Sequence, residues 1–539
     1  MNLKSGISTA KRRSIAAVAV ISAVALTAAG CGGSSGSATA SKPSTDHVLR
    51  LSFLQDPGQP PDPDIFYSGQ GLVLTQNTYE GLLRYKPGTE TPTLEPLLAT
   101  EWTASPDNKV FTFALREGVT FHDGTPFTSA AIKTSFDRRL AVNQGPAYMV
   151  SDVESVTTDG DFAATITLTE PNSAFLAYLA SPYGPRMMSP TALAANAGTD
   201  NAQTYLTTND VGTGPYSLDR AEVGSHYSLA AYDGYWGEKP YFTQVELPVI
   251  TDASSQQLQF NNGELDAITY GVPSSAVQSY IDGGVFSTQS LPTMMSDYMY
   301  VNPNKGMFTD QAVRRAFLQS VDTDALAKQA YFGRGEAAEQ VYPPNMMAAE
   351  FAQQNITHDP TVLENLVSSM PADKKSIVIG YDSSSSDNQL AANLLSANLS
   401  QIGVTASVQS FPTAQIFEWA GDPGAGPDVL LNLGWPDAPP PYTWGHISFD
   451  QGAGLNYLNC SSPEVSALLA EGLTTGSDQT FSDAAVKASE TGCWMNLVDV
   501  SDFIVAQPWL KGIEESHMVS APTSLNFATL TVDNAGANK

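Results

Sequence analysis

Four residues within ten positions, Trp435, Asp437, Tyr442 and Trp444, combine the side chains that recognise small organic ligands: aromatic faces and one carboxylate. They follow Val429-Leu-Leu-Asn-Leu433, an apolar run that reads as a buried strand. In a parallel sheet, ligands gather just past the carboxyl ends of strands, which is where these four side chains fall. Pro436, Pro439, Pro440 and Pro441 keep the segment irregular and exposed, favouring an aromatic wall over core packing. Turn and cap chemistry is equally open to an aspartate between prolines. A second aromatic pair, Phe66 and Tyr67, ends the loop that starts at Asp56, where Pro57, Pro60, Pro61 and Pro63 exclude a strand. Both are candidate ligand-lining residues, because loops carried by a rigid scaffold often bind.

No catalytic constellation accompanies them. Asp123-Gly124 is a turn pair, and His122 beside it has no nucleophile or second carboxylate at a recognisable spacing. Gly212 and Gly214 suggest a phosphate loop, but no Lys-Ser/Thr follows and Pro215 removes an amide such a loop would use, so they read as turn glycines. HExxH and CxxC spacings are absent, and GxSxG occurs only as Gly32-Gly-Ser-Ser-Gly36 in the small-residue tract after Cys31, where no strand-to-helix elbow can form. Binding without turnover is expected, with no catalytic residue, cofactor or metal.

Charge narrows the partners. With 55 acidic and 26 basic residues the net charge is −29, which repels nucleic acid and anionic lipid. The chain opens with Lys4, Lys11, Arg12 and Arg13, then an apolar run from Ser14 to Thr27, then Ala28-Ala-Gly-Cys31. That layout is a cleaved signal peptide over residues 1–30, its run shorter than the ~20 residues needed to span a bilayer. Residues 31–45, rich in Gly, Ser and Thr, read as a flexible tether. In an exported chain Cys460 and Cys493 read as a disulfide, two buried thiols being the alternative.

Periodicity supplies the scaffold. Leu49, Leu51 and Phe53 alternate as a strand, and Val110–Leu115 continues the same pattern. Thr128 is placed to cap a helix with Ile132, Phe136 and Leu140 on one face. A helix capped near Thr309 carries Val313, Phe317 and Val321 inward, with its arginines on the solvated side. Ser376–Gly380, a helix through Leu395 and Leu399, Gly403 and Val404–Val408 form a strand-helix-strand unit, which implies a parallel sheet. Ser462 and Pro463 start another helix.

Several stretches, in order, resemble one family. They are Phe121-His-Asp-Gly-Thr-Pro-Phe-Thr128, Val211-Gly-Thr-Gly-Pro-Tyr216, Tyr232-Asp-Gly-Tyr-Trp-Gly237, Gln257–Asp266, Phe308–Asp324, Gly434-Trp435 with Asp437, and Phe503–Leu510. Together they resemble the family 5 solute-binding proteins, the peptide, nickel and oligosaccharide receptors of ATP-driven importers. The resemblance implies an α/β, two-lobe periplasmic-binding-protein-like fold of type II, in its large three-subdomain form with a two-strand hinge. Residues 46–78, 208–298 and 508–539 would form the main domain of lobe 1, 79–207 its smaller subdomain, and 299–507 lobe 2. Asp437 would face the terminal ammonium of a short peptide, with an oligosaccharide or a nickel chelate near His446 as alternatives. Partners would be an ABC permease and its ATPases, the receptor itself being monomeric. Ala28–Cys31 resembles a lipobox, implying lipid on the Cys31 thiol and a place on the outer face of the cell membrane. An ordinary secretory signal cut near Ala29 or Gly30 is the alternative. An exported hydrolase or a surface lipoprotein without a permease are the readings from other classes.

Overall fold

The structure, a computed structural model, describes residues 40–43, 45–67, 69–352, 356–460 and 462–533. The signal peptide and Cys31 lie outside the described residues. Two antiparallel-rich sheets form from alternating sequences. Val48–Arg50 pairs in parallel with Gln244–Pro248, which continues antiparallel to His226–Ala231 and Tyr216–Glu222. Leu49, Leu51 and Phe53 point into its core, as their alternation requires. A second four-stranded sheet orders Ala99–Ala104, Val110–Leu115, Ala163–Leu168 and Val153–Thr158. Phe111, Phe113 and Leu115 are buried on one face, while Val110, Thr112 and Ala114 are exposed.

Helix Ala130–Val142 packs beside that sheet, starting after Ser129 rather than Thr128. Ile132 and Phe136 are buried as expected, but Leu140 is 39% exposed. The buried face instead includes Arg138 and Arg139, whose partners are described below.

The third sheet ties the molecule together. Its order is Ala267–Ile268, Trp494–Ala506, Ser287–Val301, Val429–Gly434, Ser376–Asp382 and Thr405–Phe411, with Gly335–Ala337 also on the second of these. Ser376–Asp382 and Thr405–Phe411 are parallel and joined by helix Ser386–Gln401, with Gly403 at φ +82° closing the helix. Ser287–Val301 and Trp494–Ala506 are long enough to belong to more than one core. Their lower ends, Leu291, Ile504 and Ala506, pack with Leu49 and Phe53, and their upper ends, Met295, Met299, Met495 and Leu497, with Ile377 and Leu395. The ladder between them is interrupted between Leu291 and Met295.

Several local readings need correction. Helix Gln311–Gln319 is capped by Asp310, which accepts the Ala312 amide at 2.8 Å, rather than near Thr309. Arg314 is not solvated: it is buried and donates to the carbonyls of Thr491 and Phe308. Gly212 and Gly214 are not at positive φ; a Cβ on either would collide with the backbone of Thr78 or Asn77, so close approach explains them. The tether is anchored at its end, where the Ser41 amide donates to Gln507 Oε1 at 2.8 Å.

Cys460 and Cys493 form a disulfide with Cα atoms 6.3 Å apart, joining the turn before helix Pro463–Thr475 to the start of strand Trp494–Ala506. The closed loop spans a separation of 33 residues. Loop-closure entropy for that length gives ~3 to 4 kcal/mol of stabilisation. Replacing both cysteines by serine is expected to lower the unfolding free energy by about that amount in a urea titration, with the m-value changed only through a more expanded unfolded chain.

Candidate ligand-binding site

A cavity of about 400 Å³ lies where the ends of the large sheet meet the loops around Tyr67 and Tyr183. Its size falls within the ~300–1,000 Å³ of small-molecule sites. Trp435 and Asp437 line it from the loop after strand Val429–Gly434, and Tyr67 and Tyr183 face them from the other side.

Asp437 is 4% exposed, and its surroundings are built from distant parts of the chain. The hydroxyls of Tyr67 and Tyr148 both donate to its Oδ2, the latter at 2.7 Å, and Ser181 Oγ donates to its backbone carbonyl. Among the described residues no donor reaches Oδ1. Burial pushes the Asp437 carboxyl up to about 6, against the opposing pull of the two tyrosine hydroxyls and of His446. A carboxylate offers about four acceptor sites, so the free oxygen can still receive a charged donor.

Trp435 spans the same gap. It packs against two hydrophobic cores, and its Nε1 donates to the Tyr183 hydroxyl at 3.1 Å. Opposite, Gly69 leaves room for the ring: a Cβ there would lie 2.5 Å from Trp435 Cζ2.

The loop that presents Tyr67 is held by buried charge. Arg138 forms a fork with Asp62, Nη1 to Oδ1 at 2.8 Å and Nη2 to Oδ2 at 2.5 Å, and also reaches Asp64 at 2.6 Å. Arg139 Nε donates to Asp64 Oδ1 at 2.8 Å, while its other nitrogens bind the carbonyls of Pro63, Tyr183 and Gly184. Paired guanidinium and carboxylate groups with every oxygen satisfied are the form in which buried ions are tolerated. Tyr67 and Tyr183 are thereby fixed from one cluster.

Three expected lining residues sit elsewhere. Phe66 is 2% exposed and lies over Gly71 in the core of the neighbouring sheet. Trp444 is fully buried, its ring 4.7 Å from that of Tyr298. Tyr442 is half-buried and stacks on His446 at 5.2 Å, outside the cavity wall. The cause is Pro441: rather than holding the segment irregular, it opens helix Pro441–Phe449, whose turn carries Trp444 inward. His446 also pairs with Asp450 at 2.8 Å. His122 pairs with Asp210 and approaches the Gly214 carbonyl at 2.9 Å, a structural arrangement far in sequence from Asp437.

The wall also contains residues that spacing did not single out: Tyr270, Asp297, Tyr331, Arg334, Asp387 and Asn388. Asp297 had a legible signal, a lone carboxylate within the apolar run Met294–Val301. Tyr148 and Tyr183 had none, since their partners lie 289 and 252 residues away.

Among the described residues no group of three or more His, Cys, Asp or Glu is arranged to hold a metal ion, and no helix is long and apolar enough to cross a membrane.

Comparison with known proteins agrees with this architecture. The chain is 26% identical over 438 residues to the probable D,D-dipeptide-binding periplasmic protein DdpA of Escherichia coli, covering 80% of this chain and 84% of the relative. The peptide-binding DppA of Helicobacter pylori, solved with the peptide STSA, superimposes with a TM-score of 0.77 at 21% identity, over 90% of this chain and 98% of that one. NikA of Brucella suis, solved with Fe(III)-EDTA, gives 0.77 at 23% identity, over 90% and 100%. The first two of these are named as periplasmic binding proteins. The model "Bacterial extracellular solute-binding proteins, family 5 Middle" matches residues 93–455, and the chain belongs to that family, with its two-lobe α/β fold.

Proposed function

We propose that this receptor captures short peptides through their free amino terminus, with Asp437 as the anchor, and presents them to the permease of an ABC importer. The observation that carries the reading is the Asp437 carboxylate: buried on the cavity wall, oriented by two tyrosine hydroxyls, and with one oxygen accepting nothing. A terminal ammonium supplies the charge-assisted donor that such an oxygen lacks. Trp435, Tyr67 and Tyr183 give the apolar and aromatic surface against which the first side chain packs. Relatives named for dipeptides and solved with a peptide support the same class. No step of bond making or breaking belongs to this role.

The moving bodies in the proposal are residues 46–78 with 208–298 and 508–539, joined to 79–207, against residues 299–507. Closure would turn about Ser287–Val301 and Trp494–Ala506, at the break in their ladder. Because Tyr67, Tyr148 and Ser181 all hold Asp437 from the opposite side, ligand capture and closure would use the same residue. In this proposal the receptor acts as a monomer, tethered by lipid on Cys31 at the outer face of the membrane, and strays no farther from the membrane surface in which its permease sits than residues 31–45 allow.

Asp437→Asn tests the anchor. Removing one member of a desolvated charge pair costs ~2 to 5 kcal/mol of binding, so dipeptide affinity should fall by about 30-fold or more in isothermal titration. N-acetylated dipeptides should bind wild type and variant equally weakly. Unchanged affinity for free-amine peptides would remove Asp437 from the site.

The same group sets a pH dependence. Binding an ammonium needs both groups ionised, so affinity should fall as pH drops through about 6, where Asp437 gains its proton, and fall again above about 8, where the free terminal amine loses its own. Stability of the empty protein runs the other way. A folded value raised above the ordinary 3.8 contributes stability that is full below about 4 and lost as pH rises through about 6. Asp437→Asn should therefore raise the melting temperature of the ligand-free protein at pH 7.5, and change it much less at pH 4.

A further inference from the structure

The cavity has a second carboxylate without a cation. Among the described residues its charged lining groups are Asp56, Asp297, Asp382, Asp387 and Asp437 against one base, Arg334. Two of these aspartates are occupied by their own surroundings. Asp56 accepts from the Gly58 and Gly224 amides and the Tyr227 hydroxyl, and Asp382 from the Ser384 amide and hydroxyl and from Thr413. Asp387 accepts from Ser274 Oγ at 2.6 Å and lies 3.6 Å from Arg334 Nη1. Arg334 in turn donates to the carbonyls of Ser501 and Val272.

Asp297 is different. It sits on the crossing strand Ser287–Val301, 2% exposed; the Tyr331 hydroxyl donates to its Oδ2, and the Asn388 side chain lies close enough to favour the carboxylate weakly without a well-formed hydrogen bond. Oδ1 has no partner, and neither has Nδ2 of Asn388, a fully buried amide on the first turn of helix Ser386–Gln401. Tyr331 has one proton, already given to Asp297, so the Asn388 Oδ1 that lies 3.2 Å from the same hydroxyl receives nothing from it. Buried polar atoms in native proteins are almost always paired, and an uncompensated buried carboxylate is costlier still. Burial, with a smaller contribution from the nearby Asp387, pushes Asp297 up to about 7 against the opposing pull of the Tyr331 hydroxyl and the Asn388 side chain, the direction that a missing cation produces.

Asp297 is also placed to act with Asp437. It pairs across the sheet with Leu433, four residues before Asp437 on the neighbouring strand and loop. Chain reach and strand spacing put the two Cα atoms no more than roughly 20 Å apart, a distance that a short extended ligand spans.

We propose that Asp297, with the Asn388 amide and Tyr331 beside it, is a second cation subsite, and that the receptor selects ligands carrying two positive charges. In a short peptide these are the terminal ammonium, at Asp437, and a lysine, ornithine or arginine side chain, at Asp297. Arg334 is left as the one lining base for the ligand's carboxylate. This inference rests on the peptide reading for the identity of the ligand but not for the existence of the subsite.

The test is titration of the purified chain, followed by calorimetry and by tryptophan emission, with Ala-Ala, Ala-Lys, Ala-Glu and 1,5-diaminopentane. Ala-Lys is expected to bind at least tenfold tighter than Ala-Ala, and Ala-Glu weaker than both. Asp297→Asn should bring Ala-Lys to within about twofold of Ala-Ala. Equal binding of Ala-Ala and Ala-Lys by the wild type overturns the subsite while leaving a peptide receptor standing, and needs no variant to fold. Persistence of the lysine preference in Asp297→Asn overturns it too. Binding of the diamine but of no peptide supports the subsite and removes the peptide reading. Failure of all four ligands removes both.

Discussion

Two antiparallel strands, Ser287–Val301 and Trp494–Ala506, are the constraint on which the rest of this structure depends. Residues from the pair enter four hydrophobic clusters: Leu291 and Ile504 one, Phe503 and Val505 another, Met299 and Leu497 a third, Tyr298 and Trp494 a fourth. Neither strand can slip by a residue without turning every one of these side chains to the wrong face. The ladder is nevertheless open between Leu291 and Met295, where Thr293 Oγ1 donates to the Val500 carbonyl and accepts the Met295 amide in place of regular pairing. A rigid register above and below a local break is what a bending point needs. Asp297, two residues beyond the break, ties the cavity wall to that same strand.

Against this backbone frame the first-lobe face of the cavity is set by ion pairing. The proline-rich loop from Asp56 has too few backbone donors to build a ladder, so its shape comes from Asp62 and Asp64 closing on Arg138 and Arg139. With all four charges buried, loss of any one leaves another uncompensated, which makes the cluster a strict determinant of where Tyr67 and Tyr183 stand. Those tyrosines in turn hold Asp437 and Trp435. Shape is thus passed from an internal charge network to an anchoring carboxylate through neutral hydroxyls, which orient it without neutralising it.

The two carboxylates Asp297 and Asp437 share a physical condition. Both are buried, both are oriented by tyrosine, and in both desolvation outweighs the pull of the groups around them. Arg138 and Arg139 show that the chain neutralises buried acids where structure alone is at stake. Leaving two acids on a cavity wall without a cation is stabilising only when something else brings the charge.

By itself the sequence determined the elements whose signal is local. The alternation of Leu49, Leu51 and Phe53, the parallel strand-helix-strand unit closed by Gly403, the start of a helix at Ser462 and Pro463, and the family-like words from Phe121 to Pro508 were all legible, because backbone geometry and side-chain period express themselves within a few residues. The placement of Asp437 and Trp435 just past a strand end followed from the same reasoning. Only the tertiary structure decided which aromatics reach the cavity. Pro441 could end one segment or begin a helix, and its becoming the first residue of Pro441–Phe449 sent Trp444 into the core and Tyr442 against His446. Phe66 and Tyr67 are neighbours of like composition, yet one is core and the other reaches Asp437. Asp297, Tyr148 and Asn388 gained their meaning from partners dozens to hundreds of residues away, and hydrogen bonds across such separations leave no period in the chain.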